Sequence, residues 1–268
     1  MLNEIKNVEV NDKEVIITID REKCGDVAIV NWLAMYSNKV KNPSKSFLEF
    51  LSKNIENIED SRELLDSLIL LENENYKIEL SDDTISRLAL NTTMCLNDLF
   101  YFYDILKKHN LLNEKIMEKL IAGLSSKLPY TVDFYYIKER EESLRKILEK
   151  YLNSDYRDLI IQAVKVRISD EIFSILSDIE MWLRNPYYYQ EFSTFLMYVR
   201  VLKDFGLEDL IKDEIEIVRD EIAKKYMEKV KRVIKRRIEK EVYKEEIKTL
   251  IQILADAMDD ASLLKYLL

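Results

Sequence analysis

The sequence predicts an all-α protein, a helical bundle or an irregular α-solenoid, with a small β-hairpin at its N-terminus. Three observations carry this. Only three glycines (Gly25, Gly123, Gly206) and three prolines (Pro43, Pro129, Pro186) occur in 268 residues, too few turn residues for a multi-stranded β architecture. Most of the chain repeats its apolar residues with the helical period, and residues 4–20 alternate with a period of two instead. With 47% hydrophobic residues the chain can bury a sizeable core. The expected division is 1–80, the hairpin plus short helices, and 81–268, a helical domain, the two forming one or two globular units.

In "EIKNVEVNDKEVIITID" (4–20), Val8 and Val10 share a face, Asn11-Asp12 supply a two-residue turn, and Val15, Ile17 and Ile19 share a face. An isolated hairpin is marginal in water, so it must lie on helices or pair with another strand, and "YKIEL" (76–80) is the obvious candidate. Start signals then mark the helices. Pro43-Ser44 opens 44–57, Asp60 opens 61–72, Ser81 opens 82–109 and Asn113 opens 114–127. Thr131 opens 132–152, and Ser154 opens the stretch to Arg184. Each cap offers a side-chain oxygen to the unpaired N–H groups of a first turn. Asn185-Pro186 opens a further helix, with proline at the first helical position.

Three segments resemble one another: "ILKKHNL" (105–111), "ILEKYLN" (147–153) and "VLKDFGL" (201–207). They read as helix ends, with Asn110 and Gly206 in left-handed conformations and each followed by a leucine that folds back on the last turn. Their spacing suits stacked helical hairpins, and equally the frequency of lysine and leucine at helix ends.

The run "NPYYYQEF" (185–192) raises the question of core against binding platform. On a helical projection Phe192, Phe195, Val199 and Leu202 surround Tyr188, which is therefore core. Tyr187 and Tyr198 fall together on one flank. They form either the wet rim of a central helix or an exposed aromatic patch for a protein partner or for nucleobase stacking.

Residues that chemistry requires are sparse. No glycine cluster cradles phosphate, and the sole histidine, His109, reads as a dipole partner near a helix C-terminus. Cys24 and Cys95 have no metal-ligand spacing, and Cys95 reads as a small core residue. In "DAMDD", Asp256 and Asp260 stand one turn apart, as in magnesium-binding helices, while Asp259 or Asp260 equally suits the N-cap of "ASLLKYLL". No cofactor is expected, and a carboxylate-based metal enzyme ranks third among the functions.

One charge pattern stands out. Residues 224–244 carry ten basic and three acidic residues, in a chain whose net charge is −9. On a helix, Lys225, Lys229, Arg232, Arg236 and Lys240 form one stripe, about 22 Å long at ~1.5 Å per residue. Tyr226, Val230, Val233, Ile234, Ile238 and Val242 occupy the other side. The stripe is a solvated thermophilic face, a phosphate-contacting ridge or a dock for another copy.

The leading expectation is a non-enzymatic interaction or scaffold protein that binds a protein partner or itself. A nucleic-acid-binding accessory protein using the 225–240 ridge is the alternative. "MLNEIKNVEV" has no signal-peptide pattern, and "VAIVNWLAMY" (27–36) is about half the length of a membrane span. The expectation is therefore a cytoplasmic protein without membrane contact. Charged residues at 34%, with glutamine only at positions 162, 190 and 252, resemble the usage of a hyperthermophilic archaeon or of one of its viruses or plasmids. If the chain is virus-encoded, the virion is a further location.

Overall fold

A computed structural model describes residues 5–10, 15–19, 25–131, 136–177 and 189–218. From residue 25 onwards the described regular structure is helical throughout, so the protein is mainly α. Before it, β1 (Ile5–Val10) and β2 (Val15–Ile19) pair antiparallel, with Val10 facing Val15 and Val8 facing Ile17. "YKIEL" joins no strand: residues 76–80 run irregularly, with Ile78 buried.

The helices are α1 (Asp26–Ala34), α2 (Lys45–Asn54), α3 (Ser61–Asn73), α4 (Asp82–Ala89), α5 (Leu96–Lys108) and α6 (Glu114–Lys127). They continue with α7 (Ile137–Tyr151), α8 (Arg157–Ser177), α9 (Tyr189–Asp204) and α10 (Asp209–Val218). Two compact units result, residues 1–123 and 124–268. The division between them falls within α6, and α4 and α5 pack on α3 in the first unit.

Local chemistry starts four of these helices where the side chains indicate. Ser44 accepts a hydrogen bond from Phe47 N at 3.2 Å and Asp60 from Arg62 N and Glu63 N at 2.8 and 2.9 Å. Ser81 accepts from Thr84 N at 3.3 Å, and Asn113 from Ile116 N at 2.9 Å. The helix read from Ser81 to residue 109 is in fact two, α4 and α5. Asn91 breaks it, because its side-chain oxygen accepts from both Thr93 N (2.8 Å) and Thr93 Oγ1 (2.6 Å) while its amide reaches Ser61 Oγ (2.9 Å). Such bonds compete with helix propagation. Asp98 then accepts from Cys95 N at 3.0 Å and starts α5. Cys95 is exposed and Met94 takes the buried place beside it, which corrects the reading of Cys95 as core.

In the first unit α3 is central. Leu64, Leu65, Leu68 and Leu71 are fully buried, and α1, α2, α4 and α5 all pack against this helix. In the second unit α9 lies on α7 and α8, and α10 on α8. Phe195, Val199 and Leu202 are buried in α9, on the side that the projection assigns to the core. Asn185, Pro186 and Tyr188 lie outside the described residues.

All three similar segments are helix ends, as read: α5, α7 and α9 stop at Lys108, Tyr151 and Asp204. Asn110 (φ 56°) and Gly206 (φ 65°) are left-handed, and Leu111 N and Leu207 N reach back to Leu106 O and Leu202 O, each at 2.9 Å. The segment 147–153 has no such residue. Instead Asn75 (φ 57°) closes α3 in the same way, with Tyr76 N bonded to Leu71 O at 2.9 Å. A methyl group at Gly206 would meet nothing within 4 Å, so Gly206→Ala tests the backbone alone. It should lower stability by about 1 kcal/mol in a thermal melt, and an unchanged midpoint would show that the turn is not needed.

Candidate functional site

Helix α1 is unusual among these helices. Its sequence, "DVAIVNWLA", is apolar all round apart from Asp26 and Asn31, the pattern of a helix enclosed by its neighbours. Only Ile29, Val30 and Ala34 are buried, however. Val27 is 47%, Met35 46% and Tyr36 41% exposed, and Ala28 is exposed with them. At ~100° per residue, Val27, Ala28 and Met35 share one arc, with Trp32 and Tyr36 on its flank.

Specific hydrogen bonds fasten α1 to its neighbours, beginning within the arc itself. Asn31 Nδ2 donates to Asn57 O at 2.9 Å, and Asn31 Oδ1 accepts from Glu59 N at 2.8 Å. Past the helix end, Ser37 Oγ meets Ser67 Oγ at 2.9 Å, and Asn38 Nδ2 donates to Asp66 Oδ2 at 2.7 Å. Asn31, the polar residue of the outward arc, is thus used in anchoring. What faces outwards is apolar and aromatic: the Trp32 and Tyr36 rings tilt together at 5.3 Å, and Lys39 Nζ stands 5.6 Å from the Tyr36 centroid. Exposed apolar arcs of this kind mark interaction surfaces.

The polar clusters act as fasteners. His109 caps α5. Its Nε2 lies 2.6 Å from Glu72 Oε2, and its Nδ1 accepts from Ile78 N at 3.4 Å, which places the ring proton on Nε2. Lys108 bonds the other Glu72 oxygen. Burial alone would push the Glu72 carboxyl up, but the hydrogen bonds from Lys108 and His109 outweigh it and hold the group below its ordinary value of 4.5. Stability from this group is therefore complete above that ordinary value and is lost as pH falls through the lower folded value. Glu72→Gln should cost about 1–2 kcal/mol at neutral pH, and denaturant titrations should show the gap closing below about pH 4.

In the second unit, Arg167 Nη2 pairs with Glu171 Oε1 at 2.6 Å, and its guanidinium lies 5.2 Å from the centroid of the half-exposed Tyr130 ring. Arg200 reaches Glu141 at 3.0 Å, and Arg145 reaches Asp204 at 2.8 Å, joining α9 to α7. Among the described residues no group of three or more His, Cys, Asp or Glu side chains is placed to hold a metal ion. No described helix is long and apolar enough to cross a membrane.

Of the residues singled out in the sequence, Lys225, Lys229, Arg232, Arg236, Lys240 and Tyr187 lie outside the described residues, as do Cys24, Asp256, Asp259 and Asp260. Tyr198 belongs to neither a rim nor a patch. It is fully buried, and its hydroxyl donates to Pro129 O at 3.0 Å. The α1 surface was missed because a helix apolar nearly all round has no period to read and its N-cap, Gly25, makes no side-chain bond. The signal available was the apolar run 27–36 itself.

Comparison with protein families, with curated proteins and with solved structures finds no match to this chain.

Proposed function

We propose that this is a non-enzymatic helical interaction or scaffold protein, and that the outward arc of α1 is the surface that receives a protein partner. The observation that supports this is the exposure of Val27, Ala28, Met35 and Tyr36 on a helix held to its neighbours by the buried Ile29, Val30 and Ala34 and by the hydrogen bonds of Asn31. The same proposal includes a bundle or irregular α-solenoid arrangement of the helices, with the N-terminal hairpin attached. It also includes a cytoplasmic setting in a hyperthermophilic archaeon, its viruses or its plasmids, in keeping with the composition.

Both Val27 and Met35 are exposed, so lysine at each should change folding stability little. Immobilised parent protein, presented with extract of the source organism, should retain a protein that the Val27→Lys/Met35→Lys variant releases. Equal retention by two equally stable proteins would overturn the reading.

Nucleic acid is the alternative partner, supported by the stripe Lys225, Lys229, Arg232, Arg236 and Lys240. Three to five phosphate contacts would give a salt slope of roughly −3 to −4.5 on duplex DNA. Glutamine at 229, 232 and 236 should flatten that slope.

A further inference from the structure

The two strands of the hairpin differ in how their outer edges are protected. β1, "IKNVEV", carries Lys6 and Glu9 and has a register irregularity between Ile5 and Asn7. β2, "VIITI", is entirely β-branched, with no charge, proline or glycine. Charges and bulges are the devices by which natural sheets block further strand addition. β1 has both and β2 has neither. Among the described residues the sheet ends at these two strands, and a two-stranded sheet is marginal where three or more strands with an apolar face are stable.

We propose that the outer edge of β2 is a self-association surface, pairing antiparallel with β2 of a second copy of this chain to give the four-stranded order β1-β2-β2-β1. A two-fold axis through Ile17, perpendicular to the sheet, satisfies the pairing. Ile17 then faces Ile17, Ile16 faces Thr18, and Val15 faces Ile19. The observed register puts Val8 with Ile17 and Val10 with Val15, so these four residues share one face of the hairpin. The perpendicular axis brings both copies of that face to the same side of the enlarged sheet. Such an interface is isologous and closed, and it produces a dimer. It involves none of the α1 surface, so the two proposals stand or fall separately.

The test is sedimentation of the full chain from micromolar to hundreds of micromolar concentrations. The parent should be a dimer. Ile16→Lys with Thr18→Lys sets like charges opposite one another twice across the axis, while within each hairpin the new lysine at 16 faces Glu9 and gains an opposite charge. The dimer should weaken on the order of tenfold or more, with the helical circular dichroism unchanged. Ile16→Lys with Thr18→Glu sets opposite charges across the same axis and should restore the dimer, which a merely melted hairpin would not do. A parent that stays monomeric, a double-lysine variant that dimerises like the parent, or a charge-swapped variant as monomeric as the double-lysine one would each overturn the proposal.

Discussion

Tyr198→Ala should lower the stability of the protein by about 4 kcal/mol. Tyr198 is fully buried in α9 beside Phe195, Val199 and Leu202, so removing the ring leaves a cavity with rigid walls. The hydroxyl adds a second cost. The segment from Leu128 to Thr131 is irregular and largely buried, and its backbone groups find partners on one face of α9. Tyr198 Oη donates to Pro129 O, and four residues earlier Thr194 Oγ1 donates to Thr131 O at 2.9 Å and accepts from Thr131 N at 3.2 Å. Burial pushes the phenol's pKa well above its ordinary value, so the donor persists across the working pH range. Tyr198→Phe keeps the ring and should cost about 1–2 kcal/mol, the penalty of an unsatisfied buried carbonyl. Chemical denaturation of both variants measures the two terms. Losses below about 0.5 kcal/mol for each would be those of a surface tyrosine.

Gly123→Ala should be nearly as damaging, at about 3 kcal/mol. Alanine normally strengthens a helix relative to glycine by about 1 kcal/mol, so the expected sign is the reverse of the local preference. The reason is the close approach of α6 to the end of α4: a methyl group on residue 123 would overlap the Ala89 carbonyl oxygen, with the Ala89 carbonyl carbon at 3.0 Å and the Leu99 side chain at 3.7 Å. That obstacle is backbone, and no rotamer change relieves it. Thermal melts should show the loss directly, and a variant as stable as its parent would mean that α4 and α6 do not approach so closely. Leu90, the residue after α4, is exposed, so Leu90→Ala serves as a nearby control expected to change little.

Wherever an element depends on chemistry within four or five residues, it was legible. The oxygens of Ser44, Asp60, Ser81 and Asn113 bind the first-turn N–H groups just ahead of them. Asn110 and Gly206 turn the chain left-handed after α5 and α9 because asparagine and glycine tolerate a positive φ just past a helix end. The core face of α9 followed from its period. Asn75 obeys the same rule as Asn110, but its helix end resembles the other segments too little for the similarity to include it.

The chain alone therefore determined a mainly helical protein, the starts of α2, α3, α4 and α6, and the turns after α5 and α9, because each is decided by neighbours in sequence. Tertiary structure alone decided the rest. Asn91 breaks the helix after Ser81 partly by bonding Ser61, thirty residues away. Tyr198 is tied into the core by its hydroxyl's bond to the carbonyl of Pro129, sixty-nine residues earlier. His109 pairs with Glu72 across thirty-seven residues. The exposure of α1 could not be read at all, since a run such as "VAIVNWLAMY" is identical in sequence whether its neighbours cover one side or every side. Coverage is a property of what packs against a helix, and only the assembled fold specifies that.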